Sequence, residues 1–363
     1  MKVLFITNLC LGKYATLPKR SLINGLHLKG ADITVVAHWP TPESLQLESA
    51  GIRLVYQPIT KKIDIGAISK IRSMLKKEKY DLMHITYGKA ITNGLIASYG
   101  LDIRIVAYLG SLHIHWHDPF AYISFLNRRI DKLICVSDGV REHVLKQAPR
   151  RMKYKAIRIY KGYDPEWMKD VRPAERKKLG IPDNAFIVCC VANIRKIKGI
   201  NYFIKAADLL PENLPVWFLL IGEGSDSVQI KKMISRTKYA DNFITEGHSE
   251  DPLSFISICD LYIQPSLSEG LGRSLTEAMC LGKTIIVTDR GGAKELVSEG
   301  INGYVIPVRS AKAIAEIISY CYQNRDTLPL MGENSRKRIL NDFNSQTTID
   351  QTYNLYKDLL GMD

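Results

Sequence analysis

The chain of 363 residues is long enough for two domains, and its 46% hydrophobic and 24% charged residues are ordinary for a globular protein. It has no run of about 18 apolar residues, and the opening MKVLFITNLC turns polar too soon for a secretory signal, so we expect a cytoplasmic protein. Seven cysteines without a Cys-x-x-Cys pair predict buried thiols, and neither disulfides nor a thiolate metal site.

The net charge of +13 is unevenly distributed. Residues 1–172 contain 28 Lys and Arg against 14 Asp and Glu, whereas residues 173–363 contain 22 against 23. A basic first half predicts an anionic partner, such as a membrane surface, an acidic glycan, a lipid phosphate or nucleic acid. Nucleic acid is disfavoured, because aromatic and basic residues are not interleaved and no nucleic-acid-binding motif is present.

The first half alternates short apolar strands with helical patterns, which indicates a doubly wound parallel sheet. The predicted strands are Val3–Ile6, Ile33–Ala37, Ile52–Tyr56, Leu82–Ile85, Ile103–Ala107 and Leu133–Val136. We expect a loop over residues 7–17 after the first strand, followed by a helix. That loop contains Gly12, and Lys13, Lys19 and Arg20 make it a place where an anionic group could bind, with a plain connecting loop as the alternative.

The segment Ile65–Lys79 predicts a basic amphipathic helix. Its apolar residues share one helical face, and the rest of its surface is rich in cations. Those cations are Lys70, Arg72, Lys76, Lys77 and Lys79. Such a helix either docks on the sheet as an ordinary surface helix or makes a peripheral contact with anionic lipid.

Three histidines alternate along the chain at His113, His115 and His117. In an extended segment their imidazoles would share one face and resemble a three-histidine zinc site. We expect no metal, because Asp118 is the only acidic residue nearby that could orient a ligand. A histidine that faces substrate and exchanges a proton near neutral pH is the favoured interpretation.

Glycines and prolines between Lys161 and Pro182 interrupt the apolar periodicity, and a second series of strands and helices follows. Its predicted strands are Phe186–Val191, Val216–Ile221, Phe243–Thr245, Leu261–Ile263 and Thr284–Val287. A basic loop with Arg195, Lys196 and Lys198 follows the first of these strands. The carboxyl end of a parallel strand is where an open α/β sheet binds ligands, and two cations there suit a diphosphate. A solvated loop is the alternative.

The stretch Pro265–Gly282 places Glu269 and Glu277 eight positions apart across a glycine-bearing turn. We expect Glu269 on a loop and Glu277 about two turns into the following helix. The backbone N–H groups of residues 270–273 are placed to hold an anion at the positive end of that helix. On its own, such a pair of glutamates more often marks a solvated loop than a ligand site.

Taken together, these stretches resemble the retaining GT-B enzymes of glycosyltransferase family 4, over nearly the whole chain. The resemblance rests on residues 191–199 (VANIRKIKG), 247–251 (GHSED), 265–282 (PSLSEGLGRSLTEAMCLG), 291–295 (GGAKE) and 300–303 (GING). It implies two Rossmann-like domains facing across a cleft. Residues 1–165 would form the acceptor-binding domain, residues 166–345 the nucleotide-sugar-binding domain, and residues 346–363 a C-terminal helix crossing back to the first.

The resemblance also implies a role for each residue of the motifs. Arg195 and Lys198 would neutralise the donor diphosphate and Glu269 would contact sugar hydroxyls, which makes these three the expected catalytic residues. The other expected donor-binding residues are Gly270, Leu271, Gly272, Arg273 and Glu277, the last of which would hold the ribose diol. Preorganised cations and N–H dipoles stabilise a departing nucleoside diphosphate, so neither a metal nor a cofactor is expected.

On the acceptor side we expect a glycan or lipid-linked hydroxyl compound of anionic character. The expected contacts there are Gly12, Lys13, His113, His115 and His117. The implied activity is metal-independent hexosyl transfer with retention, in the biosynthesis of a cell-surface polysaccharide or lipopolysaccharide. The protein would work as a cytoplasmic enzyme, peripheral on the inner face of the membrane.

Two positions depart from the family's pattern. Leu109 stands where the family often has a histidine, and Asn193 stands where many members have an arginine, with Arg195 two positions later. Two alternatives therefore stay open. One is a GT-B sugar-nucleotide epimerase or hydrolase, and the other is a non-catalytic nucleotide-sugar-binding scaffold, which Leu109 favours.

Overall fold

A computed structural model of the chain describes residues 1–10 and 12–362. It divides into two compact units, and the first combines Met1–Gly162 with the chain from Phe343 onward. The second unit is Tyr163–Asp342. Leu11, in the predicted loop 7–17, and Asp363, at the end of the predicted last helix, lie outside the described residues.

The first unit is built on a seven-stranded parallel sheet. Its strands are β1 (Lys2–Ile6), β2 (Asp32–Ala37), β3 (Arg53–Tyr56), β4 (Leu82–Ile85), β5 (Arg104–Leu109), β6 (Lys132–Cys135) and β7 (Ala156–Arg158). They lie in the order β3-β2-β1-β4-β5-β6-β7. The helices of the unit are α1 (Lys13–Leu28), α2 (Pro42–Ser49), α3 (Ile65–Glu78), α4 (Gly88–Ala97), α5 (Pro119–Tyr122), α6 (Asp138–Gln147) and, after the second unit, α13 (Ser345–Leu360).

Helices cover the first sheet, which explains why its central strands read as continuous apolar runs. Phe5 in β1 is fully buried and belongs to a core that also takes in Leu26 of α1 and Leu355 and Tyr356 of α13. The Tyr356 hydroxyl is hydrogen-bonded to Nδ1 of His84, which is buried in β4. The last helix therefore supplies part of the core of the first unit.

The second unit repeats the pattern with a six-stranded parallel sheet. Its strands are β8 (Phe186–Val191), β9 (Val216–Ile221), β10 (Phe243–Glu246), β11 (Leu261–Gln264), β12 (Thr284–Thr288) and β13 (Gly303–Ile306). They lie in the order β10-β9-β8-β11-β12-β13, so the strand order reverses between β8 and β11. The helices are α7 (Ile200–Leu209), α8 (Val228–Ile234), α9 (Pro252–Ser257), α10 (Arg273–Cys280), α11 (Ala311–Gln323) and α12 (Leu328–Asp342).

Two doubly wound parallel sheets confirm the fold predicted from the alternation of strands and helices. The predicted loop over residues 7–17 was wrong, because α1 already begins at Lys13 and contains Pro18. Proline is disfavoured inside a helix, so the first residues of α1 looked like a loop. None of the described helices combines the length and the apolar character that crossing a membrane requires.

Candidate functional site

The candidate site of the second unit lies where the strand order of its sheet reverses, which is where open α/β sheets bind ligands. The loop after β8 and the loop after β11 meet there, and the Leu267 N–H donates a 2.7 Å hydrogen bond to the Ile197 carbonyl. Gly199 ends a 3-10 turn at φ +67°, and a Cβ on it would lie 2.0 Å from the Pro265 carbonyl oxygen. Only glycine allows the two loops to approach so closely.

Glu269 is the centre of a hydrogen-bond cluster on the loop after β11. Its Oε2 atom lies 2.5 Å from Lys198 Nζ and accepts bonds from Gln264 Nε2 (3.2 Å) and Ser266 Oγ (3.3 Å). The side chains of Lys198 and Glu269 are only 25% and 16% exposed, so solvent screens this ion pair less than a surface pair. Within the described part of the chain, no residue donates to Oε1, which leaves that oxygen available to a ligand hydroxyl.

A third loop supports the backbone of Glu269. The Gly292 N–H donates to the Glu269 carbonyl over 3.0 Å. Gly291 has φ +75°, and a Cβ on it would lie 2.0 Å from the same carbonyl oxygen. The loop that follows β12 thus packs against the backbone of Glu269.

Glu277 is 3% exposed and lies on α10, little more than one turn after its first residue, rather than the two turns predicted. Arg273 Nε lies 3.7 Å from Glu277 Oε1. Burial, followed by the negative charge of Glu277, raises the pKa of Tyr163 well above its usual range, so the phenol stays neutral. Glu277 is therefore a buried carboxylate with a cation at one side.

The N-terminus of α10 is the place where the sequence predicts that an anion binds. Gly272 is its N-cap with φ 97°, no side chain caps the first turn, and no acidic residue lies in it. Leu271 and Gly270 precede it as buried residues. Among the described residues, no side-chain cap is therefore bonded to the backbone N–H groups at the positive end of this helix.

The two predicted phosphate cations have different surroundings. Lys198 belongs to the Glu269 cluster, whereas Arg195 is exposed and lines a separate pocket of about 480 Å³ with Tyr202 and Arg309. Asn193, which replaces the arginine common in the family, faces the loop after β9. Its Oδ1 accepts the Glu223 N–H over 3.3 Å, so it fastens two loops together.

The predicted acceptor residues all belong to the first unit. Gly12 is the N-cap of α1 with φ 81°, and Lys13 is the first residue of that helix. His113 lies 2.5 Å from Ser111 Oγ and lines a pocket of about 270 Å³ with Lys62 and Lys89. Partial burial, followed by the neighbouring imidazoles, lowers the pKa of His113.

The other two histidines of the alternating run lie apart from that pocket. The rings of His115 and His117 stack with centroids 5.4 Å apart, and His143 lies 5.8 Å from His115. Among the described residues, no group of three or more His, Cys, Asp and Glu could hold a metal ion. Leu109 ends β5 and is 1% exposed, so it is a core residue.

Sequence reasoning missed Gln264, the last residue of β11. It is a polar residue at the end of a strand that is otherwise apolar, and it is 2% exposed. Buried amides must be hydrogen-bonded, so a glutamine in such a strand was the available signal.

Two family models match the chain. The Glycosyltransferase Family 4 model matches residues 20–167, and the Glycosyl transferases group 1 model matches residues 171–338. The first match falls in the first unit except for its last five residues, and the second falls in the second unit. The two matches together take in most of the chain.

Curated relatives and solved structures agree with these models. N-acetyl-alpha-D-glucosaminyl L-malate synthase of Bacillus anthracis is 25% identical, with 83% of this chain and 80% of the relative covered. UDP-Gal:alpha-D-GlcNAc-diphosphoundecaprenol alpha-1,3-galactosyltransferase of Escherichia coli is 24% identical, with 82% and 80% covered. The crystal structure of Anabaena HepE in complex with UDP and glucose has a TM-score of 0.81 at 22% identity, with 99% and 100% covered.

At 22% identity the HepE structure supports the fold alone, and the two family models identify the family. Three findings point to the same family. They are the parallel sheets of both units, the cluster around Glu269 where the strand order of the second sheet reverses, and the two adjoining model matches. The chain belongs to the glycosyltransferases of the GT-B fold.

Proposed function

We propose that the protein transfers a sugar, with retention of configuration, from a nucleotide-diphosphate sugar to a hydroxyl group of a glycan or lipid-linked acceptor. We further propose that the product belongs to a cell-surface polysaccharide or lipopolysaccharide. The observation that carries the proposal is the Lys198–Glu269 ion pair, which lies where the strand order of the second sheet reverses. An epimerase, a hydrolase or a scaffold is not favoured, because both matched models are those of transferases.

The donor site follows from the charges of the second unit. Lys198 and the N-terminus of α10 would hold the diphosphate, and Arg195 would add a second cation from its exposed position. Glu269 Oε1 would accept a hydrogen bond from a sugar hydroxyl, and Glu277 would accept bonds from the ribose diol. HepE was crystallised with UDP and glucose, which makes uridine nucleotides the first donors to test.

The chemistry needs stabilisation of the leaving group. As the bond between the anomeric carbon and the phosphate oxygen breaks, negative charge grows on the diphosphate, and Lys198 with the α10 backbone stabilises it without a metal. The acceptor hydroxyl attacks the same face of the sugar. Its oxygen forms the new bond to the anomeric carbon, and its proton passes to the departing phosphate oxygen. No carboxylate nucleophile is required.

The acceptor site is assigned to the first unit. Lys62, Lys89 and His113 line one pocket there, and the aromatic ring of Phe120 forms part of its wall. A cationic pocket with an aromatic wall suits an anionic sugar or a phosphorylated acceptor. Gly12 and Lys13, at the N-terminus of α1, are a second proposed contact for such a group.

We also propose that the first unit binds the inner face of the membrane peripherally. Lys70, Lys76 and Lys77 are exposed on α3. Ile63 and Ile65, before and at its start, are 55% and 80% exposed. Exposed lysines beside exposed isoleucines suit the headgroup region of an anionic bilayer.

The decisive experiment is a transfer assay. The protein is incubated with UDP-, GDP- and ADP-sugars and with glycan and lipid-linked acceptors, and products are identified by mass spectrometry. We expect transfer in the presence of EDTA and, by NMR, the anomeric configuration of the donor in the product. Tight donor binding without transfer to any acceptor would support a scaffold, and an inverted product would overturn retention.

A further inference from the structure

Gln264 is the most completely hydrogen-bonded side chain near the candidate site. Its Nε2 donates to Ser266 Oγ (3.0 Å) and to Glu269 Oε2 (3.2 Å). Its Oε1 accepts from Ser274 Oγ (3.3 Å) and from the Tyr262 hydroxyl (3.4 Å). Both amide hydrogens of Gln264 are used, whereas the single hydrogen of each of the two hydroxyls is shared between Gln264 Oε1 and the Val191 carbonyl.

The contact with Glu269 fixes which way the amide points. With oxygen and nitrogen exchanged, the amide oxygen would face the carboxylate of Glu269, and the two would repel each other. The observed orientation presents an N–H group to that carboxylate. Because Gln264 is only 2% exposed, water does not compete for these bonds.

We propose that Gln264 is the positioning residue that holds Glu269 for the donor sugar, and that it thereby sets how well the sugar is recognised. This inference rests on the proposed function, in which Glu269 contacts sugar hydroxyls. Gln264 connects the end of β11, through Ser274 on α10, to the loop that carries Glu269. It fixes Oε2 and so directs Oε1 towards the ligand.

Lys198 cannot fill this role alone. In the proposed mechanism it also holds the diphosphate, so its charge is shared between the carboxylate and the ligand. Gln264, by contrast, is anchored at both ends of its amide before any donor binds. The carboxylate is thus preorganised by a residue that touches neither the sugar nor the phosphate.

The substitution Gln264→Met tests the proposal with little risk to the fold. Ser274 Oγ keeps its 3.0 Å bond to the Val191 carbonyl, and the Tyr262 hydroxyl keeps a 3.4 Å contact with the same oxygen. Ser266 Oγ keeps its bond to Glu269 Oε2. No buried polar partner of Gln264 is therefore left without a bond, and urea denaturation checks that the variant is folded.

The readout is the affinity for UDP-sugar compared with the affinity for UDP alone, both by calorimetry. The sugar used is the one that the unmodified protein transfers best. We expect Gln264→Met to weaken UDP-sugar binding about tenfold, the scale of one lost hydrogen bond to a charged group, and to change UDP binding less than about twofold. A structural defect would weaken both ligands in parallel, and that result, like unchanged binding of both, would overturn the inference.

Two further variants complete the test. Ser274→Ala removes one donor from the Gln264 carbonyl. We expect it to weaken UDP-sugar binding about threefold and to leave UDP binding unchanged. This variant tests the inference if Gln264→Met does not fold. Thr284→Val is the matched control, because Thr284 is a buried polar residue at the start of β12 whose Oγ1 donates to the Leu328 carbonyl. It should change neither affinity, and a selective loss in the control would also overturn the inference.

Glu269→Gln separates this inference from the proposed function. If Glu269→Gln leaves the ratio of the two affinities unchanged, the proposed sugar contact fails. If it changes the ratio and neither Gln264→Met nor Ser274→Ala does so, the proposed function stands and the positioning role of Gln264 is wrong.

Discussion

The two units differ in how they carry charge. Residues 1–162 and 343–363 contain 27 Lys and Arg against 14 Asp and Glu, whereas residues 163–342 contain 23 of each. The whole net charge of +13 therefore belongs to the first unit. The proposed diphosphate site nevertheless lies in the second unit, whose net charge is zero.

In the proposed function, the placed charge of the second unit and the net charge of the first unit serve different partners. Lys198 is half-buried and fixed against a carboxylate, so a small ligand meets it at short range and with little screening. The lysines of α3 are exposed, and their effect falls off within a Debye length of about 10 Å at 0.1 M salt. Spread charge of this kind attracts an extended anionic surface, whereas a single placed cation recognises a small anion.

Removing the placed cation should have the largest effect. We expect Lys198→Met to lower kcat/KM for transfer by about 10²- to 10³-fold, because the leaving diphosphate loses a preorganised charge. Steady-state assays with saturating acceptor measure this. Lys196→Met, two residues earlier and exposed, is the control and should stay within about threefold of the unmodified protein. Equal losses in both variants would show that only the total charge of the loop matters.

Removing spread charge should affect membrane binding and leave donor binding unchanged. The triple variant Lys70→Gln, Lys76→Gln, Lys77→Gln should bind anionic vesicles about 100-fold more weakly, at about 1 kcal/mol for each lysine near the surface. Sedimentation with anionic and neutral vesicles at two salt concentrations measures this. The same charge change on the second unit, at Lys231, Lys232 and Lys312, should have little effect, and an equal effect would mean that net charge alone drives binding.

Glu277 tests whether the neutral unit recognises the nucleotide. We expect Glu277→Ala to weaken UDP binding about 10- to 100-fold, because the ribose hydroxyls lose a charged acceptor. Calorimetry measures the affinity, and urea denaturation shows whether removing this buried side chain unfolds the unit. Glu316→Ala, on the exposed side of α11, is the control. Unchanged UDP affinity in a folded Glu277→Ala protein would remove the residue from the donor site.

The smallest predicted effect concerns His84, in the core of the basic unit. Burial lowers the pKa of His84 to about 3, from an ordinary value of 6.5, so the imidazole is neutral in the folded state. Below pH 6.5 the His84 side chain binds a proton in the unfolded chain but not in the folded chain. The contribution of His84 to the free energy of unfolding is therefore fully present above pH 6.5, and it is lost as the pH drops towards 3. Below the unfolded pKa, the free energy of unfolding changes by about 1.4 kcal/mol per pH unit.

Urea denaturation at pH 7.5 and pH 5.5 measures this dependence. His84→Gln should flatten the profile, whereas replacing the exposed His117 in the same way should leave it unchanged. An equally steep profile in His84→Gln would assign the acid sensitivity to other groups.

Much of the fold could be predicted, because parallel strands covered on both faces leave apolar runs that are easily read. β7 and β13 could not. β7 is a three-residue strand at the sheet edge, and β13 begins with Gly303, a residue type depleted in strands. β7 pairs with β6, and β13 pairs with β12. Each of the two strands is held by this tertiary pairing, which the local sequence pattern does not reveal.

The candidate site could be predicted only in part. The positions of Lys198 and Glu269 followed from motif spacing, and the structure brings them together. Spacing could not reveal that Arg195 lies outside their cluster, because a side chain on a loop can point in any direction. It also could not reveal Gln264, whose role depends on contacts with Ser274 and Glu269 that form only when α10 packs beside β11.

The packing of α13 sets an order of assembly. The helix supplies Leu355 and Tyr356 to the core of the first unit, and Tyr356 meets His84 across 272 positions of sequence. The second unit is one uninterrupted stretch of chain, so it can fold as soon as that stretch has been synthesised. The first unit lacks the part of its core that Leu355 and Tyr356 supply until α13 has been synthesised. Although most of the first unit precedes the second unit in the sequence, the first unit cannot complete its core until the chain beyond the second unit has been synthesised.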